Sequence, residues 1–297
     1  MTRTIICPIP SHLRPTIVYA HSRKGFDFSR TRGLLRIMRG AYLKPDRNRM
    51  RWEQRFIVSL ARAVAAMQVL PSARCLTHTS AALVQGLAMW TQEPDVYLSF
   101  PSNPRTTTAR LPLFRFPASG VPKPVERVEP DGRQVLLYRR RLDLDDDEIQ
   151  VVGGVPVTHA LRTAFDCACD EPPFNALSIA DSALRQYCGP DPWNRGACRD
   201  KEKQARAYWK RLVSRYRGRK GIAQARAVLA AASPWAVLPG ESVLRWVVLV
   251  LGLPEPVLQY RVDIRTGERF IDLCWPELRI AVEFDGRLKY RTGDDVF

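Results

Sequence analysis

Three acidic residues near the C-terminus have the spacing of a metal site. Glu241 opens a predicted helix at 240–252, Asp272 lies in a predicted strand, and Glu283 lies in the next strand, which continues to Asp285. Carboxylates at a helix end and on two adjoining strands can bind Mg²⁺, which prefers oxygen ligands in octahedral geometry. A bound Mg²⁺ activates water for attack on a phosphodiester and stabilises the leaving oxygen. The pattern therefore predicts metal-dependent hydrolysis of a nucleic acid.

The strand register decides whether these carboxylates can share an ion. If 275–278 forms a four-residue hairpin loop, Asp272 pairs with Ala281. Side chains alternate between the two faces of a strand, so Glu283 and Asp285 then share a face with Asp272. Glu283 becomes the diagonal neighbour of Asp272, at roughly 7–8 Å between Cα atoms. The opposite face is apolar and is predicted to pack on the 240–252 helix: Ile280, Val282 and Phe284.

The charge of the chain predicts a polyanionic partner. The formal net charge is +16 over 297 residues, and nucleic acid is the partner that such a balance favours over an anionic membrane surface. Residues 1–62 carry fourteen Lys or Arg against three acids, whereas 241–297 carry eight bases against ten acids. The longest apolar run, 246–251, is too short to span a bilayer. Prolines interrupt the N-terminus before an apolar signal sequence forms, so we expect a cytoplasmic protein.

A basic segment at 199–220 is the strongest candidate for phosphate contact. It contains ten Lys or Arg against two acids, with Tyr208, Trp209, Leu212 and Tyr216 interleaved. The aromatic residues either stack on bases or form a buried stripe behind a basic outer face. With two arginines of the N-terminal segment, the predicted nucleic-acid-binding residues are Arg36, Arg39, Lys210, Arg211, Arg215, Arg217, Arg219 and Lys220.

The organisation of the chain predicts an α+β protein in three segments. Residues 1–50 are either a basic arm or part of a winged helix, with a short helix over 34–38, a turn at Gly40 and a strand from Ala41. Residues 51–235 form an α+β region, and 236–297 form a further domain. The acidic run 143–148 is interpreted as a solvated turn. Helices are predicted at 52–70, 79–86, 158–168, 175–187 and 221–232, strands at 96–100 and 135–138, and a hairpin at 151–158.

Two stretches resemble known families. Gly240-Glu241, Asp272-Leu-Cys-Trp-Pro-Glu277 and Val282-Glu283-Phe-Asp285-Gly286 resemble the PD-(D/E)XK nuclease superfamily, in particular domains similar to very-short-patch-repair endonucleases. Upstream, Thr77-His-Thr-Ser-Ala-Ala-Leu and Arg162-Thr-Ala-Phe-Asp166 resemble the type IV abortive-infection antitoxins of actinobacteria. In that family a winged-helix DNA-binding region precedes the nuclease-like domain.

The resemblance implies a restriction-endonuclease-like domain with a mixed sheet. It makes Glu241, Asp272, Glu283 and Asp285 ligands of Mg²⁺ or Mn²⁺. The superfamily lysine two positions after the second acid is replaced by Asp285, and Lys289 is the nearest lysine that can take its catalytic role. The family domain continues into a charged helix and a final strand, so this domain is expected to be incomplete at Phe297.

Two hypotheses follow from these observations. In the first, the protein is a Mg²⁺-dependent DNA endonuclease. In the second, it is a non-catalytic, antitoxin-like transcriptional regulator with a degenerate nuclease domain. Both make DNA the partner, and the antitoxin resemblance adds a cognate toxin or a homo-oligomer.

Overall fold

The protein is described here by a computed structural model, which covers residues 4–5, 7–20, 33–118, 120–125, 132–265 and 267–284. The chain divides into two compact units, unit 1 (Met1–Cys167) and unit 2 (Ala168–Phe297). The boundaries at residues 50 and 235 that the sequence predicts do not coincide with this division. Helix packing gives the reason, since the helix at 239–250 is hydrogen-bonded to the helix at 173–188 across the expected boundary.

The described part of unit 1 mixes helices and strands, which confirms the predicted α+β class. Its helices are α1 (Arg51–Val69), α2 (His78–Val84) and α3 (Ala160–Asp170), the last of which continues into unit 2. Its strands are β1 (Thr4–Ile5), β2 (Ile17–Tyr19), β3 (Leu35–Met38), β4 (Ala41–Leu43), β5 (Cys75–Leu76), β6 (Val96–Phe100), β7 (Thr108–Leu111), β8 (Phe114–Arg115), β9 (Lys123–Pro124), β10 (Val135–Arg141), β11 (Ile149–Val152) and β12 (Val155–Thr158).

The largest sheet of the described residues has the strand order β1-β11-β12-β5-β6-β10-β7. β6 and β10 run parallel, while β7 pairs antiparallel with β10 at the end of the sheet. All five residues of β6 are buried: α1 and α2 contact the strand, and β5 and β10 pair with its two edges. An apolar run of this kind is what a strand buried on both faces requires.

A smaller sheet, β2-β4-β3, corrects one prediction. Residues 35–38 form a strand and not the predicted helix, because Leu35 and Ile37 are buried while Arg36 between them is exposed. That alternation has the period of a strand, and the pairing with β4 satisfies the backbone. The predicted turn and strand that follow are confirmed, since Gly40 has φ +79° and β4 begins directly after it. A left-handed turn residue of this kind favours glycine.

The described part of unit 2 consists of four more helices and an antiparallel sheet. The helices are α4 (Pro173–Cys188), α5 (Arg199–Arg215), α6 (Ile222–Ala231) and α7 (Pro239–Val250). The strands are β13 (Val257–Ile264), β14 (Gly267–Trp275) and β15 (Ile280–Val282), paired in the order β13-β14-β15. Both pairings are antiparallel, so the mixed pairing among the described strands occurs in unit 1.

A buried ion pair ties α4 to α7. Arg245 is fully buried and donates to both carboxylate oxygens of Asp181 at 2.7 Å. The same carboxylate accepts from the Ser242 hydroxyl at 2.7 Å and from the backbone N–H of Ser233 at 2.7 Å. Buried charges need partners of this quality. The network therefore fixes the position of α7, which carries Glu241.

The remaining predicted elements are confirmed within a few residues at their ends. Gly86, with φ +68°, follows α2, whose N-cap residue is Thr77. The strand predicted at 135–138 continues to Arg141, so the three arginines at 139–141 lie in the sheet. Across the described ranges, no helix combines the length and apolarity needed to cross a lipid bilayer.

Candidate functional site

Glu241 caps the N-terminus of its own helix. Pro239 occupies the first turn of α7 and Leu238 is the capping residue. The Glu241 side chain folds back, so that one oxygen accepts the backbone N–H of Val237 at 2.9 Å and the other accepts that of Leu238 at 3.1 Å. A glutamate at the third helical position reaching back to the cap is half of a capping box. The carboxylate is thereby bound to the backbone that leads into its own helix.

Burial dominates the electrostatics of Glu241. The residue is 1% exposed, and burial raises the pKa of its carboxyl group to about 7, with a further contribution from the negative charge of Asp272. The backbone N–H donors of Val237 and Leu238 act in the opposite direction, because they stabilise the ionised form. Two of the predicted carboxylates therefore influence each other electrostatically.

Asp272 is also held by two donors. It lies half-buried on β14, where one oxygen accepts the side-chain amide of Gln259 at 3.1 Å. The other oxygen accepts the backbone N–H of Phe284 at 2.9 Å. Phe284 lies just after β15, so this hydrogen bond from its backbone to Asp272 stabilises the end of that strand. Its two hydrogen bonds give the side chain a structural role in the sheet.

The predicted register of β14 and β15 is wrong by two residues. Cys274 pairs with Ala281 and Trp275 pairs with Ile280, so the loop is 276–279 and not 275–278. Pro276 begins a 3₁₀ turn within this loop, and Arg279 at its end takes a left-handed φ of +55°. Proline favours the first position of such a turn, which moves the loop one residue along the chain and shifts every pair by two.

The new register keeps the predicted faces but changes the neighbours. The last pair of the two strands is Leu273 with Val282. The next position along each strand puts Asp272 directly opposite Glu283, so the two acids are not the diagonal neighbours that the sequence predicted. On the other face, Phe284 packs on α7 as predicted: a Cβ added to Gly240 would lie 2.0 Å from its ring. Ile280 was expected to be buried with it, but its side chain is 47% exposed.

The described acids do not form a metal site. Within the described ranges, no group of three or more His, Cys, Asp or Glu side chains is placed to hold an ion. Glu241 and Asp272 each use both oxygens on donors of the protein, and Glu283 is exposed. Asp285 and Lys289 lie outside the described residues. The predicted Mg²⁺ or Mn²⁺ therefore stays a prediction, and the described residues alone do not fit it.

The basic helix α5 has an apolar inner side and a basic outer side. Trp209 and Leu212 are buried, which favours the buried-stripe interpretation of these aromatic and apolar residues. Five of the predicted phosphate-binding residues are exposed: Lys210, Arg211, Arg215, Arg217 and Lys220. The guanidinium groups of Arg211 and Arg215 lie over the Tyr208 and Tyr216 rings, at 5.8 and 5.4 Å from the centroids. These tyrosines support the arginines of the outer side.

Three predicted binding residues have other surroundings. Arg219 forms an ion pair with Asp170 at 2.9 Å and is mostly buried, so it is part of the packing of unit 2. Arg36 on β3 and Arg39 in the following turn are exposed. They belong to unit 1, whereas α5 belongs to unit 2. Both arginines line a hollow of unit 1 together with Arg110 and Arg139.

A buried charge network in unit 1 was not predicted. Arg162 donates to Glu148 at 2.6 Å and to Asp166 at 3.1 Å, and all three residues are buried. Glu148 ends the acidic run that was interpreted as a solvated turn, and this interpretation is wrong for that residue. The spacing of four between Arg162 and Asp166 is a local signal of such a pair, whereas the contact with Glu148 depends on the tertiary fold.

Comparison with known proteins adds two relatives. The chain is 33% identical over 146 residues to an uncharacterized protein of Mycobacterium tuberculosis strain CDC 1551 / Oshkosh, and equally to one of strain H37Rv. Each match covers 49% of this chain and 48% of the relative, so the chain spans about half the length of the curated relatives it matches. No protein-family model matches the chain, and neither does any solved structure.

Proposed function

We propose that this chain binds duplex DNA through the outer side of α5 and that its nuclease-like C-terminal region is a non-catalytic scaffold. One observation carries the proposal: Lys210, Arg211 and Arg215 on α5 and Arg217 and Lys220 in the turn after it are exposed, while the apolar side of α5 is buried. Phosphate contacts from Lys and Arg provide most of the affinity of sequence-independent DNA binding.

The length of α5 suits a duplex. Its 17 residues extend over about 25 Å at 1.5 Å per residue, which is enough to cross several phosphates beside a groove. Helices are the elements that most DNA-binding proteins place against duplex DNA. The net charge of +16 supplies the long-range attraction that such binding needs.

The hydrogen bonding of the acids supports the non-catalytic part of the proposal. Glu241 stabilises the start of α7, and Asp272 stabilises the end of β15. These hydrogen bonds give both acids a structural role that needs no metal. A regulator of the antitoxin type is the corresponding function, with a cognate toxin or a second copy of the chain as further expected partners.

Metal-dependent cleavage is a second candidate function, and one observation favours it. Asp272 lies close enough to Glu241 to help raise the pKa of that carboxyl group to about 7. Neighbouring carboxylates of this kind gain stability from a cation. Cleavage of plasmid DNA in Mg²⁺ or Mn²⁺ that is lost in Asp272→Ala, with DNA affinity unchanged, would establish this function in place of the scaffold.

Duplex binding is tested with a four-residue variant of exposed bases on α5 and in the turn that follows it, called the α5 variant. We expect Lys210→Gln, Arg211→Gln, Arg215→Gln and Arg217→Gln together to weaken binding to a labelled duplex in EDTA. The slope of log affinity against log salt should flatten by about 0.9 for each lost phosphate contact. Fluorescence anisotropy over a salt series measures both quantities.

A charge-matched variant provides the control. It removes four exposed arginines of unit 2 outside α5: Arg226, Arg265, Arg269 and Arg279. The proposal predicts a much smaller change of slope in this control. Equal slopes for the two variants would mean that α5 contributes only net charge, which contradicts the proposal.

A further inference from the structure

Three adjoining hollows form a trough across unit 1. The largest, of about 790 Å³, lies between the β3–β4 turn, the end of α1 and strands β7 and β10. The second and third, of about 300 Å³ and 470 Å³, are lined by the segment from Phe100 to Thr108 and by β10. Arg139 lines all three hollows, and Pro104 lines the second and third. The three hollows therefore adjoin at Arg139 and follow β10, whose side chains alternate between its two faces.

The trough is strongly positive. Among the described residues that line the three hollows, none is acidic. Seven arginines contribute to the lining: Arg36, Arg39, Arg105, Arg110, Arg139, Arg140 and Arg141. A concave surface with charges of one sign concentrates the field and attracts an oppositely charged ligand. The trough therefore suits an extended anion.

Arg139 shows that the trough has an unused donor. Its Nε is buried and has no hydrogen-bond partner among the described residues. Buried donors are normally satisfied; the Nε atoms of four other described arginines share this state (Arg49, Arg55, Arg62 and Arg245), and Arg139 is the one that lines the three hollows. A phosphate oxygen accepts well from a guanidinium in this position.

The trough also has apolar and aromatic surfaces. Met38, Leu111 and Leu137 line the largest hollow, and Tyr138 lines the third. The Arg140 guanidinium lies 5.2 Å from the centroid of the Tyr138 ring, which in turn stacks on Tyr97 at 4.7 Å. This stack holds Arg140 at the trough. Arginines for phosphates together with apolar and aromatic surfaces for bases are the combination that binds single strands.

We infer that the trough binds an extended single strand of nucleic acid, with its phosphates on the arginines and its unpaired bases on the apolar lining. A duplex keeps its bases stacked inside, and so it cannot use the apolar part of the trough. This inference goes beyond the proposed duplex binding, because it concerns another ligand, another unit and other residues.

The test uses an unstructured probe, labelled oligo-dT, and three substitutions in the largest hollow. Arg36→Gln, Arg39→Gln and Arg110→Gln remove exposed side chains, so the fold should be retained. We expect weaker oligo-dT binding and a salt slope that flattens by about 2, since each single-strand phosphate contact contributes about 0.7. The matched control removes three exposed bases outside the trough, Lys44→Gln, Arg47→Gln and Arg51→Gln, and should change the slope by less than about 1.

The outcomes separate this inference from the proposed function. Equal effects of the trough and control variants on oligo-dT would overturn the inference. It would also be overturned if a duplex bound through the same three arginines as tightly as oligo-dT does. Loss of oligo-dT binding in the four-residue α5 variant, with none in the trough variant, would refute the trough and leave duplex binding by α5 intact.

Discussion

Replacing Glu241 by glutamine distinguishes a buried helix cap from a metal ligand. Burial raises the pKa of Glu241 from its ordinary value of 4.5 to about 7. A tenfold change in a proton-binding constant corresponds to about 1.4 kcal/mol, so ionising this group costs the folded state up to about 3 kcal/mol. The unfolded chain loses the proton first as pH rises. The stabilising effect of the proton is therefore complete below about pH 4.5 and is lost as pH rises through about 7.

The glutamine in Glu241→Gln cannot ionise, so the free energy of unfolding of this variant should not fall in that way as pH rises. Its amide oxygen still accepts one backbone N–H at the start of α7, so at low pH the variant should lose only about 1 kcal/mol, as for other cap substitutions. The assay is urea unfolding followed by circular dichroism in EDTA at about pH 5 and pH 8. We expect the free energy of unfolding of the wild type to fall between these values by up to about 3 kcal/mol more than that of the variant.

The exposed Glu277→Gln in the β14–β15 loop is the matched control, and its pH profile should follow that of the wild type. Parallel profiles for the wild type and Glu241→Gln would refute the explanation based on burial. Repeating the wild-type measurement at pH 8 with Mg²⁺ tests the alternative role. A ligand that binds only the folded state raises the free energy of unfolding, in proportion to the logarithm of its concentration above the dissociation constant. We expect Mg²⁺ to leave the free energy of unfolding of the wild type at pH 8 unchanged.

Three further substitutions test unit 2. Asp181→Ala removes the buried partner of Arg245 and leaves only the exposed Glu255, at 3.8 Å, as an acidic neighbour. The free energy of unfolding should fall by about 3–5 kcal/mol in urea, and a loss below about 1 kcal/mol would contradict the pairing. Gly221 has φ +81°, and a Cβ added there would lie 1.9 Å from the carbonyl oxygen of Cys169 on α3. Gly221→Ala should therefore lower Tm by several degrees. An unchanged Tm would show that the backbone relaxes to accept the alanine. Arg219→Gln breaks the ion pair with Asp170. The slope of log duplex affinity against log salt should change by less than about 0.5, because Arg219 is not expected to contact DNA. A change of about 1 would show that Arg219 contacts a phosphate.

Local patterns predicted most elements of the fold. The apolar periodicity of α1 and of α4, and the alternation of β6, identify these elements because their neighbours along the chain determine their faces. The 35–38 strand was mistaken for a helix, since Leu34, Leu35 and Met38 have helical spacing whereas Leu35 and Ile37 alternate as in a strand. Only the pairing with β4 decides between them, and that pairing is a tertiary contact.

The candidate site was predicted in part. The sequence identified the basic outer side of α5, because ten bases in one segment are a strong signal. It also contained a sign of the role of Glu241, since Pro239 followed two residues later by a glutamate is typical of a helix start. The register of Asp272 depended on Pro276, which begins the observed loop but was the second residue of the predicted one. The arginines of the trough come from β3, β7 and β10, which only the folded sheet brings together.

The central claim is that this chain holds duplex DNA by phosphate contacts that need no metal. The affinity of the wild-type chain for a labelled duplex, measured in EDTA from about 50 to 200 mM salt, tests it most directly. We expect binding at low salt that weakens steeply, with a log–log slope of about −4.5 if the five exposed bases of α5 and the turn after it each contact a phosphate. Absence of binding until Mg²⁺ is added, or an affinity that does not change with salt, would contradict the claim.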